Sequence, residues 1–486
     1  MTYVVAIDAG TTGVRSRAVF ADGREPVSSY LEFTQHFPAP GLVEHDADEI
    51  WDVTFRTLRD VIDRIGTLPA AIGITNQRET IVAWDRATGA TLARAIVWQD
   101  RRTADRCAEL APHLDTVRET TGLVLDPYFS GTKVEWLLRN GVAVSPSLAF
   151  GTIDTWLLWK LTDGAVFATD ESNASRTMLW DIRRHRWSPE ICDLLGVPVA
   201  ALPEVRDSSG RFGTTTAAGL PIGIPISGIA GDQQAALFGQ ACFADGDAKN
   251  TYGTGSFVLM NAGTTCPAPA AGMLTTVAWR LGGTTTYAVE GSIFVTGAAV
   301  QWLRDGLGII RESRDIEALA ARVPDSGGVV FVPALTGLGS PWWDADARGA
   351  IFGITRGTTA AHLALATIEA MAFQTRDVVE AMTAATGIPI RTLRVDGGAA
   401  GNDRLMQIQA DQLGIIVERP VDRETTAVGA ALLAGLAEGV WSSFEDVTST
   451  RHVDRRFEPN LDFKLFSDLA YDQWRNALRR VTANCD

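Results

Sequence analysis

The chain has 486 residues, 46% of them hydrophobic and 21% charged, which excludes a disordered or fibrous protein and is long enough to call for two large domains. Its 43 Lys and Arg stand against 58 Asp and Glu, a formal charge of −15, so nucleic acid is not an expected partner. An anionic nucleotide remains possible, because backbone amides and helix N-termini supply local positive potential.

Five scattered cysteines (Cys107, Cys192, Cys242, Cys266 and Cys485) form no CxxC and no Cys/His cluster. That pattern argues against a zinc ribbon and for reduced thiols. The opening Met-Thr-Tyr-Val-Val-Ala-Ile-Asp8 lacks the basic and apolar regions of a signal peptide. With no apolar run of membrane-spanning length, the expectation is a cytoplasmic protein without membrane insertion.

In chain order, Tyr3 to Ile7 predicts a buried strand ending in the turn Asp8-Ala-Gly-Thr-Thr-Gly13, and Val14 to Phe20 resumes as a second strand. This is not a Walker loop, since no GxxxxGK[ST] occurs and no helix follows directly. A Gly/Thr turn can still aim N–H groups and hydroxyls at phosphate oxygens. Asp46 to Ile65 reads as an amphipathic helix, with Asp46 and Glu49 spaced as a capping box. Ala70 to Thr75 predicts another buried strand, followed by Asn76-Gln77-Arg78-Glu79-Thr80 before Ile81 to Trp84 resumes. Five polar residues in a row between apolar strands are unusual for a turn. They make a solvated loop, or a site where Arg78 and Glu79 present donors and acceptors to a polyol. Around Asp154, Leu148 to Leu161 passes from strand to helix, with Trp156 and Trp159 assigned to packing.

The isoleucine-rich run Ile222 to Ile229 is broken by Gly231 and Asp232, and the Ala/Leu/Phe segment to Gly239 reads as helix. Asp232 therefore falls at a strand-to-helix turn. There an N-cap and a catalytic carboxylate are equally good readings of the residue alone. Its company favours catalysis. A second Gly/Thr turn, Tyr252-Gly-Thr254-Gly-Ser256, leads into the strand Val258 to Met260 and echoes the first, suggesting a duplicated domain. Leu393 to Val395 ends in Asp396-Gly397-Gly398-Ala-Ala-Gly401-Asn402, small residues that admit a flat ligand or simply a tight packing contact, before a helix to about Leu413. Glu424 to Leu436 is an Ala-rich core helix. The division into domains is expected at 1–243 and 244–486, hinged near Gly239 to Asp247.

Two long blocks, Tyr128-Phe-Ser-Gly-Thr-Lys133 through Asn140 and Gly349-Ala-Ile-Phe-Gly353 through Glu369, resemble the signatures of the FGGY carbohydrate kinase family. Narrower blocks at Gly73 to Thr80, Asp126 to Gly131, Ser172 to Met178 and Ile226 to Gly239 resemble its glycerol-phosphorylating members. The resemblance covers essentially the whole chain. It implies a two-domain α/β actin-like ATPase (ribonuclease H-like) fold with the active site in the interdomain cleft. It also implies ATP-dependent phosphorylation of glycerol to sn-glycerol 3-phosphate, with Mg2+, in a homodimer or homotetramer.

Carried over by motif, Asp232 is the general base. Arg78, Glu79, Tyr128, Asp232 and Gln233 meet glycerol's hydroxyls, and Trp98 and Phe257 wall its carbons. Thr11, Thr12, Gly13 and Arg15 hold phosphate from the first turn and Thr254 from the second. Gly297, Gln301, Gly398 and Asn402 bind the nucleotide, and Asp8 faces the magnesium. Two departures stand out. The first turn has Gly13-Val14 where the family usually has two serines, which leaves Arg15 and Arg17 both eligible for the phosphate. The loop Thr214 to Ile224 has Gly223 where some relatives bind fructose bisphosphate through arginine, and it contains no histidine, so neither that control nor phosphohistidine activation is expected. The alternatives are a kinase for another sugar or polyol and a non-catalytic actin-like ATPase, which would have no use for Arg78, Glu79 and Asp232.

Overall fold

A computed structural model describes residues 2–482; Cys485 lies outside them. Thirteen strands form one continuous sheet. In chain order they are β1 (Tyr3–Ala9), β2 (Gly13–Phe20), β3 (Val27–Glu32), β4 (Ala71–Asn76), β5 (Ser209–Thr214), β6 (Pro225–Gly231), β7 (Ala248–Tyr252), β8 (Ser256–Gly263), β9 (Leu274–Leu281), β10 (Thr284–Ile293), β11 (Thr392–Gly397), β12 (Ile416–Pro420) and β13 (Val453–Phe457). Their spatial order is β13-β12-β11-β7-β8-β10-β9-β5-β6-β4-β1-β2-β3.

The two halves of that sheet repeat one plan. β1 pairs antiparallel with β2 and β2 with β3, while β1–β4 and β4–β6 are parallel. In the second half β7 pairs antiparallel with β8 and β8 with β10, while β7–β11 and β11–β12 are parallel. The duplication expected from the two Gly/Thr turns is thus a duplication of topology, with one turn at the β1–β2 corner and the other at β7–β8. The halves join where β5 touches β9 through the single register pair Ser209↔Leu281.

The helices that matter for the site are α1 (Ala47–Ile65), α2 (Asp232–Gly239), α3 (Gly297–Asp305), α4 (Ala360–Thr386), α5 (Asp403–Leu413) and α6 (Thr425–Ala437). α1 starts as its sequence predicts at Asp46, whose side chain accepts from the backbone of Asp48 and Glu49. The capping box is not completed: Glu49 turns instead to the backbone and hydroxyl of Thr34, at 3.1 and 2.9 Å. α1 and the helix Ile153–Leu161 cover the first half of the sheet, where Trp156 and Trp159 stack with centroids 5.7 Å apart, as assigned. α4 and α5 cover the second half.

Although α6 comes late in the chain, its apolar residues join those of α2 in a cluster that includes Val4, Ala71 and Ala230 of the first half and Leu259 and Ala288 of the second. The crossing is close because both helices are glycine-bearing: a Cβ at Gly429 of α6 would run into the carbonyl of Ala235 in α2. This shared core fixes α2, and with it Asp232, relative to both halves.

Candidate active site

The site is assembled from strand ends and turns that meet between the two halves. β6 ends at Gly231 and α2 begins at Asp232, the strand-to-helix position predicted. Asp232 is the first residue of the helix and not its N-cap. Its Oδ1 accepts from the backbone N of Gln233 at 2.7 Å and faces Arg78 Nε at 3.1 Å. Its Oδ2 has no protein partner among the described residues, so one carboxylate oxygen is tied and the other is open. Burial raises the Asp232 carboxyl above its ordinary value, while Arg78 and Lys249 pull against that shift.

The polar run after β4 folds into the core. Gln77, Arg78, Glu79 and Thr80 are all buried. Glu79 sits at φ 64, and Thr80 N donates to Arg78 O at 2.8 Å, a tight reversal that L-residues seldom adopt. Such strain is held only when the surroundings over-determine it, and here they do. Arg78 donates through Nη1 to Glu290 Oε2 at 2.5 Å and to Gln234 Oε1 at 3.3 Å. Through Nη2 it donates to Glu290 Oε1 and to the Tyr128 hydroxyl, at 3.1 and 3.2 Å. Arg176, fully buried, donates from Nε to Glu79 Oε1 at 2.7 Å and from Nη2 to Glu290 Oε1 at 3.0 Å. Burial works against an ionised Glu290, but Arg176 and Arg78 outweigh it and hold the carboxyl down to about 2.

Aromatic rings complete the wall. Trp98 lies edge-on to both Tyr128 and Phe257, with centroids 5.6 and 6.4 Å apart, and Arg78 stands 5.7 Å over the Phe257 ring. Phe257 belongs to β8, so the second half closes a pocket otherwise built by the first. Trp98 Nε1 also donates to Thr11 Oγ1 at 3.0 Å, which couples this wall to the first Gly/Thr turn. The fully buried Lys133 donates to Val97 O at 2.7 Å and Tyr128 O at 3.3 Å, fixing the backbone that carries both Trp98 and Tyr128. Burial lowers its pKa to about 7 despite the acidic neighbours Asp100, Glu79 and Asp126.

At the first turn Gly10 N donates to Gly13 O at 3.0 Å, matched at the second by Gly253 N to Gly255 O at 2.8 Å. Thr12 and Thr254 are exposed and Thr11 is half-buried. Register pairs Asp8 with Arg15 across β1 and β2. The eligible arginines separate on this evidence: Arg15, half-exposed, stands beside Asp8 and pairs with Glu424, whereas Arg17 is buried against Asp422. Burial and the negative charges of Asp232 and Glu424 push the Asp8 carboxyl up to about 7, with Arg15 opposing.

Beyond the second turn lies a cavity of about 520 Å³ lined by Thr254, Gly297, Gln301, Gly398, Asn402 and Arg423 among others, a volume in the range of small-molecule sites. Gly297 opens α3 against the turn itself, where a Cβ would meet the Gly253 carbonyl. Asn402 caps α5 by accepting from Leu405 N at 2.9 Å. All five sequence-predicted nucleotide residues on this side line the one cavity, and the predicted hydroxyl-binding and wall residues meet around Asp232.

Three contributors escaped the sequence reading of the site: Glu290, Arg176 and Lys249, the last donating to Gln233 Oε1 and to Thr251 Oγ1. Burial lowers the Lys249 pKa to about 8, with Asp396 and Asp232 opposing. Glu290 and Lys249 did leave a signal, each being the single charged residue of its strand. Among the described residues no group of three or more His, Cys, Asp or Glu is placed to hold a metal, and no helix is long and apolar enough to cross a membrane.

Comparison with known proteins places the chain in a family and a fold. The sequence model of the FGGY family of carbohydrate kinases, N-terminal domain, matches residues 3–239, and that of the C-terminal domain matches residues 248–438. The glycerol kinase of Aromatoleum aromaticum is 54% identical over 491 residues, covering 99% of both chains. Glycerol kinase 2 of Thermotoga maritima is 53% identical over 492 residues, again 99% of both. Among solved structures, Plasmodium falciparum glycerol kinase with ADP superposes at a TM-score of 0.93 with 34% identity, over 99% of this chain and 98% of that one. A xylulose kinase from Lactobacillus acidophilus, 19% identical, shares the fold at a TM-score of 0.90 over 100% and 99% of the two chains.

Proposed function

This chain belongs to the FGGY family of carbohydrate kinases, and from that premise we propose that it transfers the γ-phosphoryl group of ATP to the terminal hydroxyl of glycerol, giving sn-glycerol 3-phosphate. The observation that carries the proposal is that Trp98, Tyr128 and Phe257 pack together and against Arg78, which also joins Glu79 to Asp232. Curated relatives at 50–54% identity are glycerol kinases, and one of the solved structures it resembles is a glycerol kinase with ADP.

In this reading the aromatic wall takes the carbon skeleton, and Arg78, Glu79, Tyr128 and Gln233 take the hydroxyls. A substrate lacking a matching hydroxyl leaves this buried polar cluster short of one hydrogen bond, a heavier penalty than a missing methylene. The nucleotide occupies the cavity between α3 and α5, with its phosphates reaching the two Gly/Thr turns. Thr11, Thr12, Gly13 and Arg15 act on one side and Thr254 on the other.

Asp232 accepts the proton of the attacking hydroxyl at Oδ2. A carboxylate near its free value of about 3.9 does not deprotonate an alcohol in the ground state, but it takes the proton late, as the oxygen gains positive character in a loose transition state. Burial makes Asp232 a better acceptor than free aspartate, and Arg78 holds it in place. The remaining acceleration comes from positioning and charge stabilisation.

Asp8 suits magnesium: it is a hard oxygen donor in a patch of excess negative charge, with Asp232 and Glu424 beside it. The small number of protein carboxylates fits an ion that keeps waters and substrate phosphates as ligands. Bound with the nucleotide, Mg2+ would offset charge on the phosphate oxygens. The reading extends to a homodimer or homotetramer acting in the cytoplasm, as the family resemblance implies. Turnover across a panel of glycerol, dihydroxyacetone, erythritol and xylulose tests the substrate assignment. Glycerol should give the highest kcat/KM; a higher value for a pentulose or tetritol would reject it.

A further inference from the structure

Glu290 lies in the middle of β10, in the half of the chain that holds the nucleotide cavity, yet its carboxylate is spent entirely on residues of the other half and on its own strand. Both oxygens bond the Arg78 guanidinium, at 2.5 and 3.1 Å, in a two-pronged fork. Oε1 also accepts from Arg176 Nη2 at 3.0 Å and from Ser292 Oγ at 3.2 Å. The side chain has no exposed surface. Arg176 passes the contact on to Glu79 at 2.7 Å, and Glu79 returns to Arg78 Nε at 3.8 Å. Two arginines and two glutamates thus form a closed ring.

The ring matters because of where it leaves the donors of Arg78. A guanidinium has five N–H groups in one rigid plane. Two of them go to Glu290, two reach Gln234 and Tyr128 at 3.3 and 3.2 Å, the longest of these contacts and the ones a polyol hydroxyl would take over, and the fifth, on Nε, faces Asp232 Oδ1. A two-pronged carboxylate fixes the orientation of the whole plane, so Glu290 sets the direction of the Nε–H that meets Asp232. Through Arg176 it also fixes Glu79, whose backbone is strained and would relax if released.

We propose that Glu290 is a positioning residue for the transfer reaction: from the nucleotide-bearing half it orients Arg78 and Glu79 toward the polyol and Arg78 toward Asp232. It touches neither substrate. This rests on the polyol-kinase reading above but assigns a role that reading does not need. The interlobe placement adds a consequence. Polyol affinity depends on the two halves being in register, because the hydroxyl-binding residues of one are aimed by a carboxylate of the other.

The test is steady-state kinetics on Glu290→Gln and Glu290→Asp, using whichever polyol the wild-type enzyme turns over best, with ADP affinity measured by calorimetry on the same preparations. Glu290→Gln keeps the shape but loses the charge and half of the fork. It should raise the polyol KM at least tenfold and lower kcat at least tenfold, with the ATP KM and ADP Kd within twofold of wild type. Glu290→Asp keeps the charge on a shorter arm and should recover part of the kcat while the polyol KM stays raised.

Wild-type polyol kinetics in both variants would overturn the proposal, as would parallel loss of ADP affinity and polyol affinity, the mark of a purely structural role. If Glu290→Gln does not fold, Glu290→Asp decides alone: a raised polyol KM beside an unchanged ADP Kd supports the assignment, and an unchanged polyol KM refutes it. Failure of the glycerol assignment is seen separately, in the wild-type substrate profile.

Discussion

Replacing Asp232 with asparagine isolates the proposed proton acceptor from everything else the residue does. In the structure Oδ1 carries both protein contacts, to Gln233 N at 2.7 Å and to Arg78 Nε at 3.1 Å, and Oδ2 carries none. An asparagine whose amide oxygen occupies the Oδ1 position keeps those two contacts. Its NH2 group then replaces Oδ2, where it donates and cannot accept a proton. The perturbation is therefore confined to proton transfer plus the loss of one negative charge beside Arg78. General-base removal lowers rates by roughly 10²–10⁴, or about 3–5 kcal/mol of transition-state stabilisation. Coupled detection of glycerol-dependent ADP release should show kcat falling in that range. ADP affinity, measured by calorimetry, should stay within twofold, since the cavity between α3 and α5 is untouched. A variant that keeps kcat within tenfold of wild type would reduce Asp232 to a helix-terminal residue with no part in the chemistry.

Other outcomes follow from the same geometry. Lys133→Met strands the carbonyls of Val97 and Tyr128 and should raise the glycerol KM several-fold while leaving the ATP KM in place; an unchanged glycerol KM would sever Lys133 from the aromatic wall. Gly429→Ala forces a methyl against the Ala235 carbonyl at the α2–α6 crossing and should destabilise by ~1–3 kcal/mol or more, seen as a lower urea midpoint, whereas a neutral result would mean that the crossing is loose. Asp377, which accepts from the Tyr471 hydroxyl at 2.5 Å and Trp474 Nε1 at 2.9 Å, has its pKa raised to about 6, because burial outweighs those two bonds. The native state therefore holds this proton more tightly than the unfolded chain. Its contribution to stability is fully present below about pH 4 and is lost as pH rises through about 6, with a slope no steeper than ~1.4 kcal/mol per pH unit. Asp377→Asn should remove that slope from urea titrations between pH 4 and 7, and an unaltered slope would contradict the shift.

What the sequence disclosed and what it hid divide along physical lines. Asp232 was legible because an isoleucine-rich strand stops at Gly231 and a helical pattern starts beside it. Arg78 and Glu79 were legible because five polar residues in succession have no simple turn to make. The two Gly/Thr turns announced the duplication, which the strand order confirms. Glu290 was visible only as a charge within Thr284–Ile293, since its partner Arg78 lies 212 residues away and no local pattern encodes such a pairing. Arg176 sat inside a quoted block yet gave no sign of its contacts, because burial of an arginine is decided by tertiary neighbours. The placement of α6 beneath the first half of the sheet was equally hidden: an Ala-rich helix carries no polar face to say which side it turns to. The choice between Arg15 and Arg17 needed the β1–β2 register, which sets Arg15 against Asp8.

A crystal structure of the enzyme with glycerol and a nonhydrolysable ATP analogue tests the central claim most directly. The account predicts a terminal glycerol hydroxyl about 2.6–3.2 Å from Asp232 Oδ2, within hydrogen-bond reach, facing the γ-phosphate held between the turns at Thr11–Gly13 and Thr254. Glycerol bound away from Asp232, or a γ-phosphate held by one turn alone, would contradict it.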